Sequence, residues 1–241
     1  MKIAVISDIH GNFDAFERVL DDMAGCQVDA VVNLGDAIGY GPEPERVINT
    51  IRARGIPSIS GNHEMAIKDT DHLNWFNPAA RKSLLMTIDM LSQESRDFIA
   101  DLNTHLTEHQ CRFVHGFPPD SPFIYLFQVS DSSMRRVFSE MTEPLCFVGH
   151  THLLEMVCYD GSHIDYLELS QGIVSLDKMN RYLINIGSVG QPRDGNNHAK
   201  YVIWDSAQCS LDVRFVAYDI AKVVGKIRDA GLPEEHGLRL W

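Results

Sequence analysis

Short apolar runs that stop abruptly at Gly, Asp, Asn or His recur through the first half of the chain. Ile3–Ile6 leads into Ser7-Asp8-Ile9-His10-Gly11-Asn12, Val31–Leu34 into Gly35-Asp36, and Ile56–Ser60 into Gly61-Asn62-His63-Glu64. Arg112–Val114 runs into His115-Gly116, and Leu145–Val148 into Gly149-His150-Thr151-His152. Runs of this length bounded by turn residues read as buried strands. Between the first two, Phe13, Phe16, Val19, Leu20 and Met23 recur at helical spacing, with Asn12 placed to cap the helix and Gly25 to end it. A second helix opens at Pro44 and turns Val47, Ile48 and Ile51 to one face. The chain therefore begins as a βαβ unit.

From about Asp69 to His109 the pattern predicts helices. Asn77-Pro78 reads as a cap with Pro in the first turn, ahead of Leu84, Leu85, Ile88 and Leu91, and Ser92 can cap a further helix carrying Phe98, Ile99 and Leu102. This insertion either covers a sheet face or overhangs the strand ends as a lid, with Trp75 and Phe76 expected in the core. After Gly116-Phe117-Pro118-Pro119 a short helix is expected around Ser132–Met141. Beyond His152 the pattern is that of a β meander: Met156–Tyr159, a turn at Asp160-Gly161, Ile164–Leu169, Ile173–Leu176, Tyr182–Ile186, Tyr201–Trp204 and Leu211–Val216. A helix from about Ile220 to Ala230 precedes a polar tail. The sum is an α/β fold of two packed sheets with helices outside. No repeat, low-complexity tract or linker divides it, so residues 1–241 are expected to form one domain with a helical insertion at about 69–109.

Composition changes this picture little. A 44% hydrophobic content suffices for a core of that size. The net charge of -12, from 33 acidic against 21 basic residues, disfavours a phosphate-tracking nucleic-acid surface. Cys26, Cys111, Cys146, Cys158 and Cys209 lie in apolar patterns without C-x-x-C spacing, which suits a reducing cytoplasm. The first apolar run is too short for a signal-peptide core, and no stretch approaches the ~20 apolar residues of a membrane span. A soluble, cytoplasmic protein with no membrane partner is expected.

The strand ends carry the chemistry. Ligands in open α/β sheets bind beyond the carboxyl ends of the strands. Side chains alternate along an extended backbone, so Asp8 and His10 are expected to point the same way. Asp8, His10, Asp36, Asn62, His115, His150 and His152 together offer carboxylate, amide and imidazole donors without thiolate, a set suited to manganese, iron or zinc. Seven groups exceed the needs of one ion with open positions; two ions about 3.5–4 Å apart fit if a carboxylate bridges them. His72, His105, His109, His163 and His236 read as ordinary core or surface histidines. The loop Ala37-Ile38-Gly39-Tyr40-Gly41-Pro42 matches no phosphate-cradling motif; Tyr40 either packs the loop or lines a pocket mouth.

In this order, Asp8-x-His10, Gly35-Asp36, Gly61-Asn62-His63-Glu64, His115 and Gly149-His150-x-His152 resemble the calcineurin-like metallophosphoesterase superfamily over essentially the whole chain. The Gly39-Tyr40-Gly41-Pro42 loop and the stretch Asn185 to Gly195 look like its small prokaryotic phosphodiesterase-type branch, apart from Ile186, which stands where many relatives have Pro before Gly-Ser. The resemblance implies a four-layer α/β/β/α sandwich of two mixed sheets flanked by helices. It implies two divalent or mixed-valence metal ions, one on Asp8, His10, Asp36 and His152 and the other on Asp36, Asn62, His115 and His150, with Asp36 bridging. The expected reaction is hydrolysis of a phosphodiester or nucleotide polyphosphate, a metal-bound hydroxide attacking phosphorus opposite the leaving oxygen. His63 is implied as proton donor or charge stabiliser at the leaving group. Glu64 either orients His63 or caps a helix. Arg193 offers a planar fork for a second phosphate, or forms a surface salt bridge. Rival expectations are a phosphomonoesterase, a phosphoprotein phosphatase, and a metal-binding scaffold without activity.

Overall fold

Asn12 accepts the Ala15 N–H at 3.1 Å and starts the first helix where its capping chemistry places it. In the computed structural model, which describes residues 1–241, this helix α1 (Phe13–Ala24) connects β1 (Lys2–Ile6) to the parallel strand β2 (Ala30–Asn33). There follow α2 (Pro44–Ala53), α3 (Asn62–Lys68), a 3-10 turn (Thr70–Trp75), α4 (Pro78–Met90) and α5 (Gln93–Ala100). Asn77 and Ser92 cap α4 and α5 through side-chain oxygens. The middle of the chain gives β3 (His105–Glu108), β4 (Cys111–Val114), α6 (Asp131–Glu140) and β5 (Leu145–Val148). The last third gives β6 (Leu154–Tyr159), β7 (Ile164–Glu168), β8 (Gly172–Ser175), β9 (Arg181–Ile186), β10 (Ala199–Asp205), β11 (Ser210–Val216), α7 (Ile220–Asp229) and α8 (Glu234–Leu238).

Two mixed sheets form, ordered β2-β1-β10-β11-β8 and β3-β4-β5-β9-β6-β7. The alternation of each strand decides which residues meet between them. Ile3 and Val5 of β1, Phe113 of β4, Phe147 of β5, Ile184 of β9 and Val202 and Trp204 of β10 build the inter-sheet core. The opposite faces are covered by helices: Ala4, Ile6, Tyr201 and Ile203 pack with residues of α1 and α2, while Cys146, Val148 and Leu183 pack under Met134, Val137 and Phe138 of α6. These are the four layers expected. β1 and β2 are parallel in one sheet, β4, β5 and β9 in the other. Their carboxyl ends emerge at the same rim.

Several elements differ from the sequence expectation. Ile56–Ser60 makes only one parallel bridge, Ser58 to Asn33, so its backbone is an edge loop rather than a strand. The helical run ends at Ala100, not near His109; His105–Glu108 pairs antiparallel with β4, pinned by the register Leu106 to Phe113 that sends Leu106 toward the inter-sheet core. The later strands do not form a meander. β6–β7 and β10–β11 are adjacent hairpins, but β9 crosses to lie parallel to β5 and β8 joins the other sheet. A run of short strands read locally carries no record of which sheet each one joins. The polar tail folds as α8, and its Leu240 packs with Val223, Ile227 and Leu232. Trp75, expected in the core, is 65% exposed.

Candidate metal centre

Asp8 and His10 do converge, but by a different route from strand alternation. β1 stops at Ile6, and both residues have left-handed backbones, with φ of 54° and 50°. Asp36, Tyr40, His150 and His152 share that conformation, at 49°, 59°, 68° and 62°. Left-handed residues other than Gly are uncommon, though Asp and His tolerate them better than most. Each costs roughly 1–3 kcal/mol, and such strain concentrates at functional sites. Here it turns side chains inward from three separate loops, those after β1, β2 and β5.

Close approach also fixes the glycine before Asn62. A Cβ at Gly61 would stand 2.1 Å from Asp36 Oδ1, so any side chain there would displace the carboxylate. Glu64, in the first turn of α3, is tied to two backbone segments. Its oxygens accept the N–H groups of Asp36 (2.8 Å), Ala37 (2.8 Å) and Gly61 (2.9 Å), so it caps α3 and ties that cap to the Asp36 loop. Burial and the Asp36 charge push the Glu64 carboxyl up to about 7.

The buried cluster is tight. His152 Nε2 lies 3.2 Å and His10 Nε2 3.7 Å from Asp8 Oδ1, while His115 Nε2 lies 3.3 Å and His10 Nε2 3.7 Å from Asp36 Oδ2. Asn62 Oδ1 is 3.2 Å from His115 Nε2. His150 joins Asp36 and His115, and its Nε2 is directed to the Phe123 carbonyl at 3.2 Å, which leaves Nδ1 as its free donor atom. All seven expected ligands are thus assembled around Asp36 and Asp8.

The protonation pattern fits cations. His10 Nδ1 lies 3.0 Å from the Ile38 carbonyl, His115 Nδ1 lies 2.9 Å from that of Leu34, and His152 Nδ1 faces that of Gln191. A ring that donates through Nδ1 turns a bare Nε2 lone pair inward, the arrangement of a metal-ligating imidazole. His10 and His152 then face each other Nε2 to Nε2 at 3.1 Å with no proton to share, and Asp8 Oδ1 between them is a buried oxygen without a hydrogen-bond partner. Such a set repels itself unless a positive ion enters. Burial pushes His150 down to about 3 and His152 to about 4, keeping both in the neutral, ligating form. Burial would lower His115 too, but Asp36 outweighs it and holds that ring up at about 9, so its Nε2 keeps a proton toward Asp36 that an entering cation would displace. Burial works to raise Asp36, yet the imidazoles of His115, His63 and His10 hold it well below the usual carboxylate range.

The remaining expected residues border this cluster. His63 is buried with Nε2 3.8 Å from Asp36 Oδ2 and Nδ1 unpartnered, so it also groups with His10 and Asp36 as a donor. Its ring is edged by Tyr40 at 4.6 Å and Phe76 at 5.0 Å. Tyr40 contacts His10 at 4.5 Å, and burial pushes its hydroxyl up to about 12 against the pull of nearby Arg193. The Arg193 N–H donates to the His152 carbonyl at 3.2 Å while its exposed guanidinium reaches Gln191 Oε1 at 2.9 Å. Lys200 pairs with Asp194 at 2.8 Å and pins this loop. Two residues lacked any local signal. Tyr125 stacks on His150 with centroids 3.8 Å apart, and His236 of α8 lies 4.6 Å from Tyr40. A surface depression of about 810 Å³ between α1 and α2 lies away from these groups.

A fold with this donor set at the shared rim of two sheets defines a metal-dependent phosphoester hydrolase. A family model for the calcineurin-like phosphoesterase superfamily domain matches residues 1–208, and the chain belongs to that superfamily. It is 35% identical to an uncharacterised Methanocaldococcus jannaschii protein over 99% of this chain and 97% of that one. It is 30% identical to the zinc-dependent endopolyphosphatase of Saccharomyces cerevisiae, over 83% of this chain and 60% of that protein. The crystal structure of a metallophosphoesterase from Sphaerobacter thermophilus superposes with a TM-score of 0.87 at 34% identity, covering 100% of this chain and 98% of that one.

Proposed function

We propose that the protein hydrolyses a phosphodiester or a nucleotide polyphosphate at a dinuclear metal centre. The observation that carries this reading is the pair of buried carboxylates, Asp8 and Asp36, ringed by inward-facing imidazoles. Asp8, His10, Asp36 and His152 would hold one ion, and Asp36, Asn62, His115 and His150 the other, with manganese, iron or zinc suited to the donors. When bound, the two dications would supply an ionised water near neutral pH and neutralise phosphoryl charge.

The chain's own groups do the rest. Asp36 would serve both sets, because His10 Nε2 lies 3.7 Å and His115 Nε2 3.3 Å from its Oδ2. His63 stands beside that carboxylate, Nε2 3.8 Å from Asp36 Oδ2, and would act at the leaving oxygen as proton donor or charge stabiliser; burial holds its ring well below the usual imidazole value, so a donor role needs the proton to arrive with the substrate charge. Arg193 and Tyr40, outside the ligand set, receive a second phosphate, and Gln191 and the pinned Asp194 hold Arg193 in place. The Saccharomyces relative's name as an endopolyphosphatase supports a substrate with more than one phosphate. Five unpaired thiols favour a reducing compartment, and no helix is long and apolar enough to cross a membrane.

The deciding experiment joins elemental analysis of purified protein to a substrate panel. Two equivalents of transition metal, with turnover of diesters or nucleotide polyphosphates above phosphomonoesters, is expected. A clear preference for monoesters would move the assignment to a phosphomonoesterase, and bound metal without turnover of any member would move it to a scaffold.

A further inference from the structure

A cleft of about 240 Å³ runs from the candidate metal centre to the surface, with Asn62 and His150 among its lining groups. Its aromatic walls come chiefly from two segments with no local reason to meet, the stretch around the end of the 3-10 turn at Trp75 and the loop after β4 that carries Phe123 and Tyr125, with Tyr40 and the start of α4 completing the lining. Trp75 meets Phe123 edge to face, centroids 4.6 Å apart at 67°, and Tyr125 lies flat on His150 at 18°. Trp75 is nevertheless 65% exposed. Aromatic rings of this size normally bury 150–250 Å² each, so holding Trp75 open beside the reactive centre forgoes stabilisation that a core position would give. Gln128 also lines the cleft; its amide is of the kind that both donates and accepts, as the edge of a heterocyclic base does.

We propose that this cleft seats a nucleobase of the substrate, stacked on Trp75, with its phosphate chain directed to Asn62 and His150. The assignment rests on the phosphoesterase reading and adds the substrate's aromatic part to it. Size and charge choose the occupant. The volume falls below the roughly 300–1,000 Å³ of pockets for drug-sized ligands and suits one mononucleotide-sized portion. The net charge of -12 disfavours a nucleic-acid strand, whose binding rests on many phosphate contacts. Stacking tolerates any base, because every base presents a π-face.

The test uses the metal-loaded full chain and two pairs of probes. In the first, the kcat/KM of Trp75→Ala is compared on diadenosine tetraphosphate and on inorganic tripolyphosphate. An about 5- to 150-fold loss on the nucleotide is expected, the range for one stacked base, with tripolyphosphate within about twofold and Trp75→Phe restoring most of the loss. In the second, binding of adenosine 5′-monophosphate and ribose 5-phosphate is titrated by calorimetry with parent and Trp75→Ala. The parent should bind the base-bearing probe tighter by a similar factor, and the variant should lose that difference. Equal losses on both substrates, or equal binding of the two monophosphates by the parent, would overturn the proposal. If the parent turns over neither polyphosphate, the polyphosphate half of the functional reading fails while the phosphodiester half stands, and the monophosphate titration still decides the base seat.

Discussion

Glu64 is the side chain on which the geometry of Asp36 most depends, and the effect of removing it can be worked from three hydrogen bonds. One oxygen accepts from Asp36 and Gly61 at 2.8 and 2.9 Å, the other from Ala37 at 2.8 Å, all buried. Glu64→Gln, with its remaining oxygen in the doubly bonded position, leaves the Ala37 N–H facing an amide NH₂. One stranded buried donor costs about 1–3 kcal/mol. Losing a buried charge offsets part of that, so the net effect should be about 1 kcal/mol. Glu64→Ala strands all three donors and opens a void; the separate penalties overlap, which puts the expected loss at about 3–5 kcal/mol, a large share of the 5–15 kcal/mol that holds a typical domain together. Urea unfolding of the chelator-treated protein isolates this from metal-linked stabilisation. With a slope of about 1–3 kcal/mol/M, the Ala variant's midpoint should fall by at least about 1 M. If Glu64→Ala unfolds within about 1 kcal/mol of the parent, the capping account is wrong. If instead it stays stable but loses turnover only on poor leaving groups, Glu64 orients His63.

Asp36→Asn should lower metal stoichiometry at both positions, because both donor sets share that carboxylate; full two-ion occupancy in the mutant by elemental analysis would falsify the bridge. His63→Ala should keep both metals yet lose turnover, most on alkyl esters and least on an activated aryl ester, and equal losses on the two would remove it as proton donor. Arg193→Ala should lower kcat/KM on a diester or nucleotide polyphosphate by about 1–3 kcal/mol and change a small aryl substrate much less, a split that steady-state kinetics reads directly. Burial acts to raise Asp22, but the hydrogen bonds from Arg214 and Tyr201 hold its carboxyl below the usual value of 3.8. A depressed carboxylate contributes stability above its unfolded pKa and loses it as pH falls through the folded one. Asp22→Asn should therefore cost about 1–2 kcal/mol at pH 7, the Arg214 pair being partly exposed, and the gap should close below about pH 4 in melts at a series of pH values.

Local chemistry determined a good deal of this protein. The caps at Asn12, Asn77 and Ser92 and the apolar spacing of α1 and α2 act within one or two turns, so they are legible in order along the chain. That the seven candidate donors would gather in one place was equally legible, because each follows an apolar run and strand ends in an α/β sheet face a common rim. Tertiary structure alone decided how the donors aim. Asp8, His10, Asp36, His150 and His152 reach the centre through left-handed backbones, held by bonds from distant loops such as His10 N–H to Asp36 O at 2.9 Å and Gly190 N–H to Asp8 O at 2.9 Å. Tyr125, Trp75 and His236 became neighbours of the site only when loops and helices far apart in sequence packed together. Sheet membership was hidden for the same reason: β8 and β9 are near in sequence but sit in different sheets, because the partner that pairs with each strand is chosen by burial of the whole core and not by the strand itself.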